Sequence, residues 1–121
     1  MKIYTSYFAN WRHFPEDAVQ VAICRKLPKG YKGLWYERIA PDYEMMYGMK
    51  DSSLRDFFAV KYIEEVLKPL DRQEVLRELE ELSGGKDIVL LCYETPMDFC
   101  HRHLVAKWLG LNSLEAELGT R

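Results

Sequence analysis

The segment KDIVLLCYE, residues 86–94, constrains the fold of this chain most. Its apolar core, Ile88 to Leu91, has no polar interruption, so a strand made from it cannot show either face to water. Such a strand sits inside a parallel sheet, and parallel strands need long crossovers, usually helices. The segment therefore predicts an α/β domain with a central strand over 86–93.

The rest of the chain supplies matching parts. KIYTSYF, 2–8, alternates and reads as a strand. VQVAIC, 19–24, reads as a second, buried one. Between them, ANWRHFPEDA reads as a loop or short turn broken by Pro15. LWYERIAPDYEMMYGMK, 34–50, suggests a short strand near Tyr36–Ile39, then an irregular segment to Gly48. From Ser52, Leu54, Phe57, Phe58, Tyr62, Ile63, Val66 and Leu67 recur at helical spacing until Pro69. Asp71 and Glu74 form a capping box for the next helix, whose stripe is Val75, Leu76, Leu79 and Leu82 and whose stop is Gly84-Gly85. A helix from about Pro96–Asp98 to Leu109 follows the central strand, and SLEAEL, 113–118, alternates like a last strand. At 121 residues the chain is one domain's worth, predicted to be a single α/β unit over 1–121 with a mainly parallel sheet.

A net charge of −2 gives no global field toward nucleic acid or membrane. No apolar run approaches membrane-spanning length, and MKIYTSYFANW lacks the features of a signal peptide, so a cytoplasmic protein is expected. Three cysteines, an odd number, then read as thiols or thiolates and not as a disulfide framework.

Chemistry concentrates where the central strand gives way to its helix. Cys92, Glu94, Cys100, His101 and Arg102 fall within eleven positions, at the carboxyl edge where open α/β sheets bind ligands. On a helical wheel Cys100 and His101 flank the face defined by Leu104 and Trp108, Arg102 lies one step from Asp98, and His103 points to solvent. A helix N-terminus favours a thiolate or a bound anion. If Asp98 caps the helix, Cys100 sits in the first turn; if Thr95 caps it, Cys100 sits a turn deeper and is less activated. Taken singly each cysteine is more often packing, Arg102 a partner of Asp98, and Glu94 a solvated strand end; the coincidence of all five carries the functional reading.

RKLPKGYKG, 25–33, holds Arg25, Lys26, Lys29 and Lys32 with no acid. A basic run is usually a solvated loop, but this one follows the second strand and so shares that edge. Arg25, Lys29, Lys32 and Arg102, with Thr5 and Ser6 from the end of the first strand, are the candidate anion-binding set. No established phosphate-loop pattern is present.

The C-x-E-x5-C-H-R pattern of Cys92, Glu94, Cys100, His101 and Arg102, with the aliphatic strand before it and HLVAKWL after it, resembles the signature of domain-of-unknown-function family 488. IYTSYF, RHFP, AIC-RKLPKGYKG, RIAP and EEVLKPLD resemble a short, compact subgroup of that family. The resemblance implies a small Rossmann-like three-layer α/β domain and no particular activity. Many members carry Asp-x-Arg after the second strand; aligning Arg25 with that arginine leaves Ile23 in the acid's place.

Three functions compete. One is an enzyme acting on a phosphate-bearing small molecule or nucleic acid, with Cys100 or Cys92 as nucleophile or redox thiol, His101 as acid/base and Glu94 beside them. Another is a non-catalytic nucleotide, nucleic-acid or protein-binding module using the same basic rim, with Tyr7 and Trp11 stacking on bases. The third, a metal site from Cys92, Cys100 and His101 or Glu94, ranks lowest, because the spacing is not that of paired zinc ligands. The sequence names no cofactor.

Overall fold

A computed structural model describes residues 1–93 and 100–119. Four strands, β1 (Ile3–Tyr7), β2 (Val19–Ala22), β3 (Leu34–Trp35) and β4 (Ile88–Cys92), pair in parallel in the order β1-β4-β2-β3. Every residue of β4 is buried, as its unbroken apolar run requires. Because all strands run the same way, Tyr7, Ala22, Trp35 and Cys92 end on one edge.

The helices are α1 (Tyr43–Lys50), α2 (Arg55–Tyr62), α3 (Arg72–Ser83), α4 (His101–Trp108) and α5 (Ser113–Ala116), with a 3-10 turn over Phe8–His13 and a second over Glu37–Ile39. Ile88, Leu90, Val21 and Ile3 from the sheet meet Met45, Tyr62, Leu67, Val75, Leu79, Val105 and Leu109 in one large apolar core. Among the described residues, no helix is long and apolar enough to cross a membrane.

Several local expectations need correction. The segment 34–50 contains β3 and a full helix, α1, capped by the Asp42 carboxylate accepting from Met45 N. Gly48 hides this helix from a propensity reading. Its role is packing: a Cβ there would collide with the Phe58 ring, so glycine lets α1 and α2 approach. The helix expected from Ser52 is α2 followed by a π turn over Ile63–Leu67, in which Lys68 N donates to Ile63 O. Phe57, one of the residues that recur at helical spacing, is 65% exposed. Asp71 caps α3 through Gln73 N, while Glu74 turns outward to Arg38 instead of closing a capping box. Gly84, at φ +67°, ends that helix in the left-handed conformation. Residues 113–118 are not a strand: the Asn112 side chain accepts from Leu114 N and Glu115 N and starts α5. Only afterwards does the chain bridge to β1, at Thr5↔Glu117, with Leu118 N donating to Thr5 O. That contact covers an otherwise open sheet edge.

Candidate functional site at the carboxyl edge of the sheet

β4 ends at Cys92, and Cys100 is the N-cap residue of α4, so strand and helix deliver both sulfurs to one point. The two are joined as a disulfide. This corrects the expectation of separate thiols: in this state neither sulfur is a nucleophile, and the pair is a two-electron redox couple. It also corrects the helix start. Cys100 itself stands at the cap, and α4 begins at His101. Asp98, Thr95 and Glu94 lie outside the described residues.

His101 is 6% exposed and points inward, as the wheel predicted. Its Nε2 lies 2.7 Å from the Ile23 carbonyl oxygen. A carbonyl only accepts, so Nε2 carries the proton of this bond, and in the neutral form of the ring the Nδ1 lone pair then points the other way. Nδ1 lies 3.7 Å from Cys100 Sγ. The Tyr62 ring packs edge-on against the imidazole, with centroids 5.7 Å apart. Backbone and aromatic ring together fix both tautomer and orientation.

Arg102 is wholly buried. Its Nη1 donates to Cys92 Sγ at 3.1 Å, while Nε and Nη2 donate to the two Glu117 carboxylate oxygens, each at 2.9 Å. Glu117 Oε1 also accepts from Thr5 Oγ1 at 2.7 Å and lies 3.3 Å from His103 Nε2. Burial works to raise the Glu117 pKa, but the hydrogen bonds from His103, Arg102 and Thr5 outweigh it and hold the group at about 2. Glu117 is therefore ionised and balances the guanidinium. Nothing in SLEAEL announces this role; the available signal was Arg102 itself, a charge on the flank of an inward-facing helix that must find an acid somewhere.

The proposed anion rim is dispersed. Thr5 and Ser6 are both 0% exposed, with Thr5 committed to Glu117 and the Ser6 hydroxyl accepting from Asn10 Nδ2. Arg102 sits inside the protein and does not line a surface pocket. Arg25 donates to the carbonyls of Pro41 and Ala40, both at 3.1 Å, and lies 3.6 Å from Glu37, so it clamps the chain ahead of α1. Lys29 and Lys32 are exposed, as is Lys26. His103 is not the solvated residue the wheel suggested, since it faces Glu117.

Cys24 is buried, and its thiol donates to the Lys26 carbonyl at 3.1 Å. It packs with Ala22, Cys92 and Cys100 in a small cluster under Phe8, Leu27 and Tyr31. The Tyr93 hydroxyl also donates to the Lys26 carbonyl, so the basic loop is anchored beside the cysteines. Burial, with the nearby Cys24, pushes the Tyr31 phenol well above its ordinary range despite a backbone hydrogen bond. It stays a neutral donor, bonded to Leu34 O at 2.7 Å. Cys92 Sγ, Cys100 Sγ and a ring nitrogen of His101 all lie within 4.8 Å of one another and, among the described residues, form a group able to hold a metal ion.

A cysteine pair, an oriented imidazole and a buried guanidinium thus converge on the carboxyl edge of a parallel α/β sheet. The chain belongs to the DUF488-N3a family, described as the active DUF488-N3 subclade, whose model matches residues 3–113. No curated protein and no solved structure matches it.

Proposed function

We propose that the chain is a thiol- and histidine-dependent enzyme acting on a phosphate-bearing substrate at this edge. The observation that carries the reading is the His101 geometry: Nε2 is tied to Ile23 O, and Nδ1 faces Cys100 Sγ. Once a dithiol reductant opens the disulfide, Cys100 S–H passes its proton to Nδ1, and the Ile23 carbonyl holds the resulting imidazolium. The thiolate attacks the substrate's electrophilic centre and displaces a leaving group, which takes the proton from the His101 imidazolium. Arg102 Nη1 favours the thiolate form of Cys92, so that Cys92 pairs again with Cys100 when a peroxide takes two electrons from the free dithiol after turnover. Lys26, Lys29 and Lys32 supply exposed positive charge on a loop anchored to the cluster. The description of the subclade as active agrees with catalysis.

The test is alkylation of the reduced protein followed by peptide mapping. Cys100 is expected to react faster than Cys24 near neutral pH, and His101→Gln to slow Cys100 by about tenfold or more. Lys29→Ala with Lys32→Ala should weaken binding of a nucleoside diphosphate. A Cys100 no faster than Cys24 and indifferent to His101→Gln would mean a binding module without a nucleophile.

A further inference from the structure

We propose that the reduced protein binds one zinc ion through Cys92 Sγ, Cys100 Sγ and His101 Nδ1, and that formation of the disulfide releases it. The proposal goes beyond the enzyme reading and does not rest on it. Coordination asks only that both sulfurs be reduced and near the imidazole.

The donor set is two sulfurs and an imidazole, which suits zinc and not the oxygen-seeking calcium or magnesium. Two ligands on one tetrahedral zinc, with bonds of about 2.3 Å to sulfur and about 2.05 Å to nitrogen, stand roughly 3.6 Å apart. Cys100 Sγ and His101 Nδ1 already stand 3.7 Å apart. The third atom is within 4.8 Å of both, so opening the disulfide is the main movement required.

The surroundings are those a metal-binding histidine ordinarily has. Such a ring usually donates its other N–H to a backbone carbonyl or a carboxylate, which fixes the tautomer. His101 does this through Nε2 and Ile23 O. Arg102 donates to Cys92 Sγ, and its charge is met by the bidentate Glu117, so the two thiolates are left to balance the zinc. Three protein ligands leave a fourth position for water. The sequence spacing of the ligands hid this, because Cys92 comes from a strand end and the other two from a helix start.

The chemistry balances. Binding converts two thiols to thiolates, releases two protons and moves no electrons. Oxidation by a peroxide takes two electrons from the sulfurs, forms the S–S bond, frees Zn²⁺ and yields two waters with two protons from solvent.

The experiment titrates zinc into protein reduced with a phosphine, against a chromophoric chelator, with cobalt(II) as a parallel spectroscopic probe. The expected result is one zinc per chain, thiolate-to-cobalt charge-transfer absorption and tetrahedral d–d bands, and no binding after peroxide treatment. Cys92→Ser and His101→Gln should each weaken binding by at least about tenfold, the lower end for loss of outer contacts. Far-UV circular dichroism confirms that each variant is folded. No zinc at one equivalent by the folded, reduced protein overturns the proposal. So does loss of binding in Cys24→Ser with binding retained in Cys92→Ser. Zinc binding together with an unreactive Cys100 sustains this proposal and defeats the enzyme reading; a reactive Cys100 without zinc binding does the reverse.

Discussion

Arg38 Nη1 lies 2.7 Å from Glu74 and 2.6 Å from Glu78, with its side chain 42% exposed. Arg102 meets Glu117 at 2.9 Å from two nitrogens, with its side chain 0% exposed. By distance alone the surface pair looks stronger. Water decides otherwise. Around Arg38 it competes for every hydrogen bond and salt screens the charges. Around Arg102 there is little water to take over if a partner leaves, so the pair contributes little net energy when whole and costs much when halved. Contact length is a poor guide to what an ion pair does; the solvent it excludes is a better one.

The largest effect that could break this contrast is Arg102→Ala. It is expected to destabilise the fold by about 3–5 kcal/mol, because it leaves Glu117 charged and underpaired in the interior. Urea unfolding measures it. The double change Arg102→Met with Glu117→Leu should recover most of that loss. A single mutant as stable as the wild type would show that water reaches Glu117 freely.

A smaller effect comes from acid. Glu117 is held at about 2 against an ordinary 4.5, so its contribution is complete above pH 4.5. As pH falls from there toward 2, the unfolded chain takes up the proton first and stability drops. Glu117→Gln should flatten this part of the stability–pH curve. A residual slope should remain from Glu78, whose pKa is lowered by the Tyr36 hydroxyl and, beyond that, by Arg38, against some burial. An unchanged slope in Glu117→Gln would place the acid-sensitive group elsewhere.

The smallest effect is Arg38→Ala. Its unfolding midpoint should shift least of the three, and added salt should shrink the difference while leaving that of Arg102→Ala in place.

The same contrast explains what the sequence made legible. β4 could be read because an unbroken apolar run has few places to go, and α3 because its Asp71 cap and Gly84 stop are local signals. His101 was placed inward by helical spacing alone. Signals that depend on distant partners were not readable. Arg102 meets a carboxylate fifteen residues on, beyond a turn set by Asn112, while Asp98, the local partner weighed for it, lies outside the described residues. Arg25 looked like a free cation because nothing in RKLPKGYKG reveals that the carbonyls of Ala40 and Pro41 wait for it. Thr5 and Ser6 were placed at the correct strand end, but side-chain alternation does not say which hydroxyl an interior carboxylate or amide will claim.

The bond between Thr5 and Glu117 joins residues 112 positions apart. During synthesis all four strands leave the ribosome before Glu117 does. Until then Arg102 has no Glu117 to meet, and the edge of β1 has no Leu118 amide beside it. Docking of the segment that follows α5 therefore brings Glu117 to Arg102 only after every strand of the sheet has been made. A nascent chain halted between residues 109 and 116 would hold every strand of the sheet and lack the Glu117 carboxylate that meets two nitrogens of its buried arginine.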